Sequence, residues 1–148
     1  MTRVLQMRVV VEASDYDEAV AFYRDVLGMP ELGSYSEGGD DRVAILDAGR
    51  ATLEIASPAH RVEIDRVEAD GQPSPHIRIA FEVADSSAAT RAAADAGADV
   101  IADPVLTPWK SLNSRLAAPA GLQITLFEET LTEEELRAQP GFSTDADR

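Results

Sequence analysis

"IRIAFEVAD", residues 77–85, repeats "MRVVVEASD", residues 7–15. Arg78 falls on Arg8, Ile79 on Val9, Phe81 on Val11, Glu82 on Glu12 and Asp85 on Asp15, at a constant offset of 70 (78 − 8). The segments after these two strands repeat as well. "ASDYDEAVAFYRDVLGM" has helical spacing, with Ala19, Phe22, Tyr23 and Val26 on one face, Ser14 or Asp15 to cap it and Gly28 to stop it. "SSAATRAAADAGA" is a shorter alanine-rich helix ended by Gly97. "RVAILDAGRATLEIAS" reads as two strands joined at "DAGR", preceded by a loop at "SEGGDD" and a further short strand around "PELGSYS". "DVIADPVLTPW" holds a short strand, and "SLNSRLAAPAGLQITLFEE" reads as a hairpin around "PAG". The closing strands "TLEI" (52–55) and "QITL" (123–126) match at offset 71.

The expected fold class is therefore α+β, with two tandem β-α-β-β-β modules, residues 4–57 and 76–129, sharing a barrel-like or saddle-shaped mixed sheet with helices outside. A lone module leaves its sheet edges open, and two modules can curl their sheets around a shared interior. Residues 58–75, "PAHRVEIDRVEADGQPSP", read as a connector rich in charge, Pro and Gly, and residues 130–148 as an acidic C-terminal helix and tail. "TEEE" at Thr132–Glu135 is a capping-box signature, and "GFSTDADR" is expected to be disordered.

Composition narrows the function. The formal net charge of the 148 residues is −14, which repels phosphate backbones and argues against nucleic acid as a partner. No apolar run approaches the ~20 residues that span a bilayer, and the first residues lack a signal-peptide pattern. There is no cysteine, which excludes disulfides, thiolate metal sites and a cysteine nucleophile, and suits a cytoplasmic protein. Neither a Ser-His-Asp arrangement nor a Gly-rich phosphate loop is visible.

"SDYDEAVAFYRDVLGM", "HIRIAFEVAD" and "TPWKSLNSRLAAPAGLQITLFEE" together resemble the vicinal-oxygen-chelate superfamily, the glyoxalase/bleomycin-resistance/extradiol-dioxygenase group, over about residues 4–129. The closing turn, Ala118-Pro119-Ala120-Gly121-Leu122, matches the family's Asp-Pro-(Asp/Glu)-Gly-Asn in part. The resemblance implies the glyoxalase/bleomycin-resistance fold. In metal-dependent members four inward-facing ligands, usually His, Glu, His and Glu, hold a divalent ion; the resemblance puts these positions on Arg8, Glu54, Arg78 and Thr125. Only Glu54 keeps a ligand type. A guanidinium has no lone pair to offer and carries the wrong charge, so the expectation is no metal and no other cofactor. A shifted site built from His76 with Glu54 is the alternative metal arrangement; His60 has no ligand spacing.

Strand alternation turns Arg8 and Glu12, Glu54, Arg78 and Glu82, and Gln123, Thr125 and Phe127 into one concave space. Buried arginines need partners. Either the arginines grip an anionic or carbonyl-bearing ligand, or they form a self-satisfied Arg–Glu network. Trp109, after Pro108, is a candidate platform for a ligand ring or ordinary cover for the barrel end. Tyr16 and Tyr35 are candidate rim aromatics, and Lys110 and Arg115 add positive charge of undetermined facing. The expected function is a metal-free small-molecule-binding protein, forming a homodimer as family members commonly do, with Arg8, Glu12, Glu54, Arg78, Glu82, Trp109 and Thr125 lining its cleft. The alternative is a lyase, isomerase or dioxygenase of the same superfamily, either metal-independent with Glu54 as base or with displaced metal ligands. An Arg beside Glu54 would depress its pKa and weaken it as a base.

Overall fold

In a computed structural model of the chain, the structure describes residues 9, 11, 13–38, 40–52, 54 and 56–139. Arg8 and Glu12, most of the strand expected at 5–12, Leu53 and Ile55 of the expected "TLEI" strand, and the "GFSTDADR" tail lie outside the described residues.

The repeat is visible in how the helices begin. Asp15 caps α1 (Tyr16–Ala21) by accepting from the Glu18 N–H at 2.9 Å. Asp85 caps α3 (Ser86–Asp95) by accepting from the Ala88 N–H at 2.8 Å. Cap and donor are each 70 residues apart (85 − 15 and 88 − 18), so the offset seen in the sequence reappears as geometry. α1 widens into a π-helical turn over Phe22–Val26. Phe22 and Tyr23, though adjacent in sequence, are both buried there, packed edge to face with ring centroids 5.1 Å apart.

Two sheets are present among the described residues. β1 (Glu31–Gly38) and β2 (Asp41–Leu46) form an antiparallel hairpin. β3 (Ile79–Glu82), β4 (Asp99–Leu106), β5 (Ser111–Ala118) and β6 (Leu122–Glu129) form a mixed sheet in the order β3-β6-β5-β4, with only β3 and β6 parallel. The sheet is thus not closed into a barrel among these residues. Its outer face is apolar: Leu116, Ile124 and Leu126 are fully buried against Phe22, Tyr23, Ala93 and Ala98, with Ile79 and Phe81 packed alongside. Burying each large aliphatic contributes about 1.5–3 kcal/mol. The alanines let α3 lie close to the sheet, and the Thr90 and Ser114 hydroxyls share a hydrogen bond of 2.6 Å across that interface. The Tyr23 hydroxyl donates to the Pro119 carbonyl at 2.9 Å, tying the first module's helix to the second module's hairpin.

The stretch read as a connector contains α2 (Pro58–Ala69). Ser57 caps it, Pro58 pre-sets its first turn, and left-handed Asp70 (φ 50) with Gly71 (φ 80) ends it. Helices were expected outside the sheet, and α1 and α3 are there. α2 instead covers the opposite, inner face. The residues it buries are Asp65, Glu68 and Ala69, so its contact face is charged rather than apolar. Beyond β6, α4 (Glu133–Arg137) carries a capping box between Thr132 and Glu135.

Candidate functional site

The inner face is assembled by pairing register. Arg115 stands opposite Thr125 and Asn113 opposite Phe127, while Ala80 pairs with Thr125 across the β3–β6 ladder. Arg78 precedes Ile79, whose partner is Ile124, so Arg78 enters this face level with Gln123. Arg115 and Asn113 alternate along β5 with Leu112 and Leu116 of the other face, so the period-2 rule aims them inward.

Arg115 is wholly buried and forked between two acids of α2. Its Nη1 donates to Asp65 Oδ1 at 2.6 Å and its Nη2 to Glu68 Oε2 at 2.9 Å. Glu68 Oε1 accepts from Asn113 Nδ2 at 2.6 Å. Asp65 Oδ2 accepts from the Ser74 N–H at 3.0 Å and from Arg61 at 3.1 Å. Burial pushes the Asp65 carboxyl up, but the Ser74 N–H and Arg115 outweigh it and hold the group below the usual carboxylate range.

Arg78 is less well served. It donates to the Thr125 hydroxyl, and its nearest carboxylate oxygen among the described residues, Glu68 Oε2, is 3.9 Å away. Burial lowers its pKa; Glu68 opposes that shift, Arg115 adds to it by repulsion, and Asp65 and Glu54 oppose it more weakly. Among the described residues, Nε of Arg78, Nε of Arg115, Oδ1 of Asn113 and Oε1 of Gln123 are buried without a hydrogen-bond partner. An open cavity of about 510 Å³ adjoins this end of the sheet, lined by Pro73, Ser74, Pro75, Ala117, Leu122 and Gln123 among others.

The family model of the Glyoxalase/Bleomycin resistance protein/Dioxygenase superfamily matches residues 6–126. The chain belongs to this superfamily. No curated protein sequence matches it. Solved structures show the same fold. A superfamily member from Sphaerobacter thermophilus is 21% identical with a TM-score of 0.54, over 80% of this chain and 92% of that one. A glyoxalase family protein from Bacillus cereus is 17% identical with a TM-score of 0.55, over 86% and 96%. TioX from a Micromonospora species is 22% identical with a TM-score of 0.52, over 85% and 98%.

Superfamily members that use a divalent ion need donors, and the positions here supply few. Arg78 and Thr125 are hydrogen-bonded to each other, and Glu54 is exposed. A guanidinium and a hydroxyl already engaged with it do not suit a divalent cation. Among the described residues no three His, Asp or Glu side chains gather closely enough to hold a metal. His76 and His60 are both exposed, His60 on α2.

Of the residues singled out in the sequence, the superfamily fold thus brings together Arg78 and Thr125. Glu82 is exposed four residues beyond Arg78, at the end of β3; burial, and then the charge of Glu82, raises the pKa of Glu129. Trp109 is half-buried in the β4–β5 turn, two residues before β5 begins at Ser111. The sequence reading did not single out Asp65, Glu68 and Asn113, and left the facing of Arg115 undetermined. The "SPAHRVEID" helix start and the i, i+3 spacing of Asp65 and Glu68 were the available signals.

Proposed function

We propose that this superfamily member is a metal-free small-molecule-binding protein whose cleft takes an organic ligand with an anionic or carbonyl group. The observation that carries this reading is Arg78: a largely buried guanidinium whose Nε has no partner among the described residues and whose closest carboxylate oxygen among them is 3.9 Å away. A ligand anion would supply the charge-assisted hydrogen bond that the described residues leave unmade. The apolar walls of the adjoining cavity, Pro73, Pro75 and Leu122, suit the ligand's body. Thr125 orients Arg78. Arg8, Glu12 and Glu82 complete the cleft, with Trp109 at its rim. Glu54, exposed, enters only through its charge, which helps keep Arg78 protonated. In this reading the protein works in the cytoplasm as a homodimer joined along sheet edges; among the described residues β3 is an edge strand, and Ile77 beside it is 78% exposed.

A thermal-shift screen of diverse metabolites and antibiotics tests the reading, because a ligand that binds only the native state raises the melting temperature by mass action. A true ligand should stabilise the wild-type chain and lose that effect in Arg78→Ala. Hits that survive the substitution would make Arg78 structural. Turnover of a hit, abolished by Glu54→Gln, would move the protein to the enzyme class.

A further inference from the structure

Glu68 is held on the sheet the way a bound carboxylate would be. Asn113 donates to one of its oxygens at 2.6 Å and Arg115 to the other at 2.9 Å, while Arg78 stands 3.9 Å away. Besides Asp65, the helix that delivers it has limited purchase: Ala69 is the one apolar side chain that α2 buries fully, with Ile64 and Val67 half-buried. A helix docked by hydrophobic packing would show an apolar stripe there. Glu68 also lies in the last turn of α2, two residues before left-handed Asp70. Around the carboxylate, the pocket is incompletely satisfied: Nε of wholly buried Arg115, Nε of Arg78 and Oδ1 of Asn113 lack partners among the described residues.

We infer that the floor formed by Arg115, Asn113, Arg78 and Thr125 is a carboxylate-binding site, that Glu68 fills it in the ligand-free chain, and that the ligand is a carboxylic acid that displaces Glu68. This rests on the binding function proposed above and names its ligand class. The exchange conserves charge. One carboxylate leaves as another enters, so no buried guanidinium is stranded. Asp65 remains as the anchor, holding Arg115 Nη1 and the Ser74 N–H while the Glu68 side chain swings out. An entering carboxylate can meet an Arg through Nε and Nη together, which Glu68 does not do here. The apolar cavity beside Gln123 then takes the hydrocarbon part of the acid.

The test uses benzoate and its neutral isostere benzamide, titrated into wild type, Glu68→Gln and Glu68→Asp, with the arginine Nε–Hε resonances as the readout. Apparent affinity falls with the fraction of molecules whose site is closed, so removing the internal competitor should raise it. Benzoate should bind Glu68→Gln about tenfold tighter than wild type, shifting the Arg78 and Arg115 signals, while benzamide moves neither. Glu68→Asp, which keeps the charge but withdraws it by one methylene, should fall between the two and serves if Glu68→Gln folds poorly. Equal or weaker benzoate binding in both variants would overturn the displacement and leave the binding function standing. Benzoate that shifts no arginine signal in any of the three proteins would overturn the ligand class. Hits of other chemistry in the thermal-shift screen would then keep the binding function, and an empty screen would remove both.

Discussion

Arg115→Met should be among the most damaging single changes to this fold. It removes the guanidinium that Asp65 and Glu68 share and leaves two buried carboxylates facing a thioether. Removing one partner of a buried ion pair costs about 3–5 kcal/mol. Asp65 would keep the Ser74 N–H and Arg61, and Glu68 would keep Asn113, which places the loss near the lower end, about 3 kcal/mol. For a chain of this size each kcal/mol moves Tm by about 2–4 °C, so the expected fall is about 6–12 °C. Urea unfolding with linear extrapolation gives the free energy directly, and a thermal melt checks it. Acid provides a test of sign. In the wild type the Asp65 carboxyl lies below its usual value, so its contribution is present above about pH 4 and is lost as pH falls through the folded value. In Arg115→Met the burial of Asp65 is offset only by the Ser74 N–H and Arg61, so acidification through about pH 4 should cost the variant less stability than it costs the wild type. A loss under about 1 kcal/mol, the range of exposed ion pairs, would refute the reasoning, as would an identical acid response in both proteins.

Other consequences are smaller. Asp15→Ala and Asp85→Ala each delete an N-cap carboxylate and should each cost about 1 kcal/mol in urea unfolding, with similar values because the two caps occupy matching places in the repeat. Tyr23→Phe should cost about 0.5–1.5 kcal/mol through the lost hydrogen bond to Pro119. Burial raises the Tyr23 phenol to about 12, so ultraviolet titration of the wild type should show one late-ionising tyrosine that is absent from the variant.

The second module was the more legible part of the chain. Period-2 alternation in "IRIAFEVAD" and "QITLFEE" turned Arg78 and Thr125 to the inner face, and the alternate residues Ile79, Phe81, Ile124 and Leu126 lie on the helix-covered one. The Asp85 cap and the stop near Gly97 arise from local chemistry, which a sequence displays openly. Arg78 and Thr125 could be paired because both fall on strands that the repeat aligns. Asp65 and Glu68 could not be assigned in the same way. Charge, Pro and Gly around them read as a connector, and a helix whose fully buried face is mostly acidic shows little hydrophobic periodicity to reveal it. Its burial depends on Arg115, 50 residues beyond Asp65, and a pairing at that separation leaves no local mark.

The most direct test of the account is the affinity of a screened ligand before and after exhaustive chelation of the protein. With Arg78 as the anion-gripping group and no donor set suited to a divalent ion among the described residues, Kd should be unchanged by chelation and unaffected by adding back Mn, Ni or Zn. Loss of binding on chelation, restored by one of those metals, would contradict it.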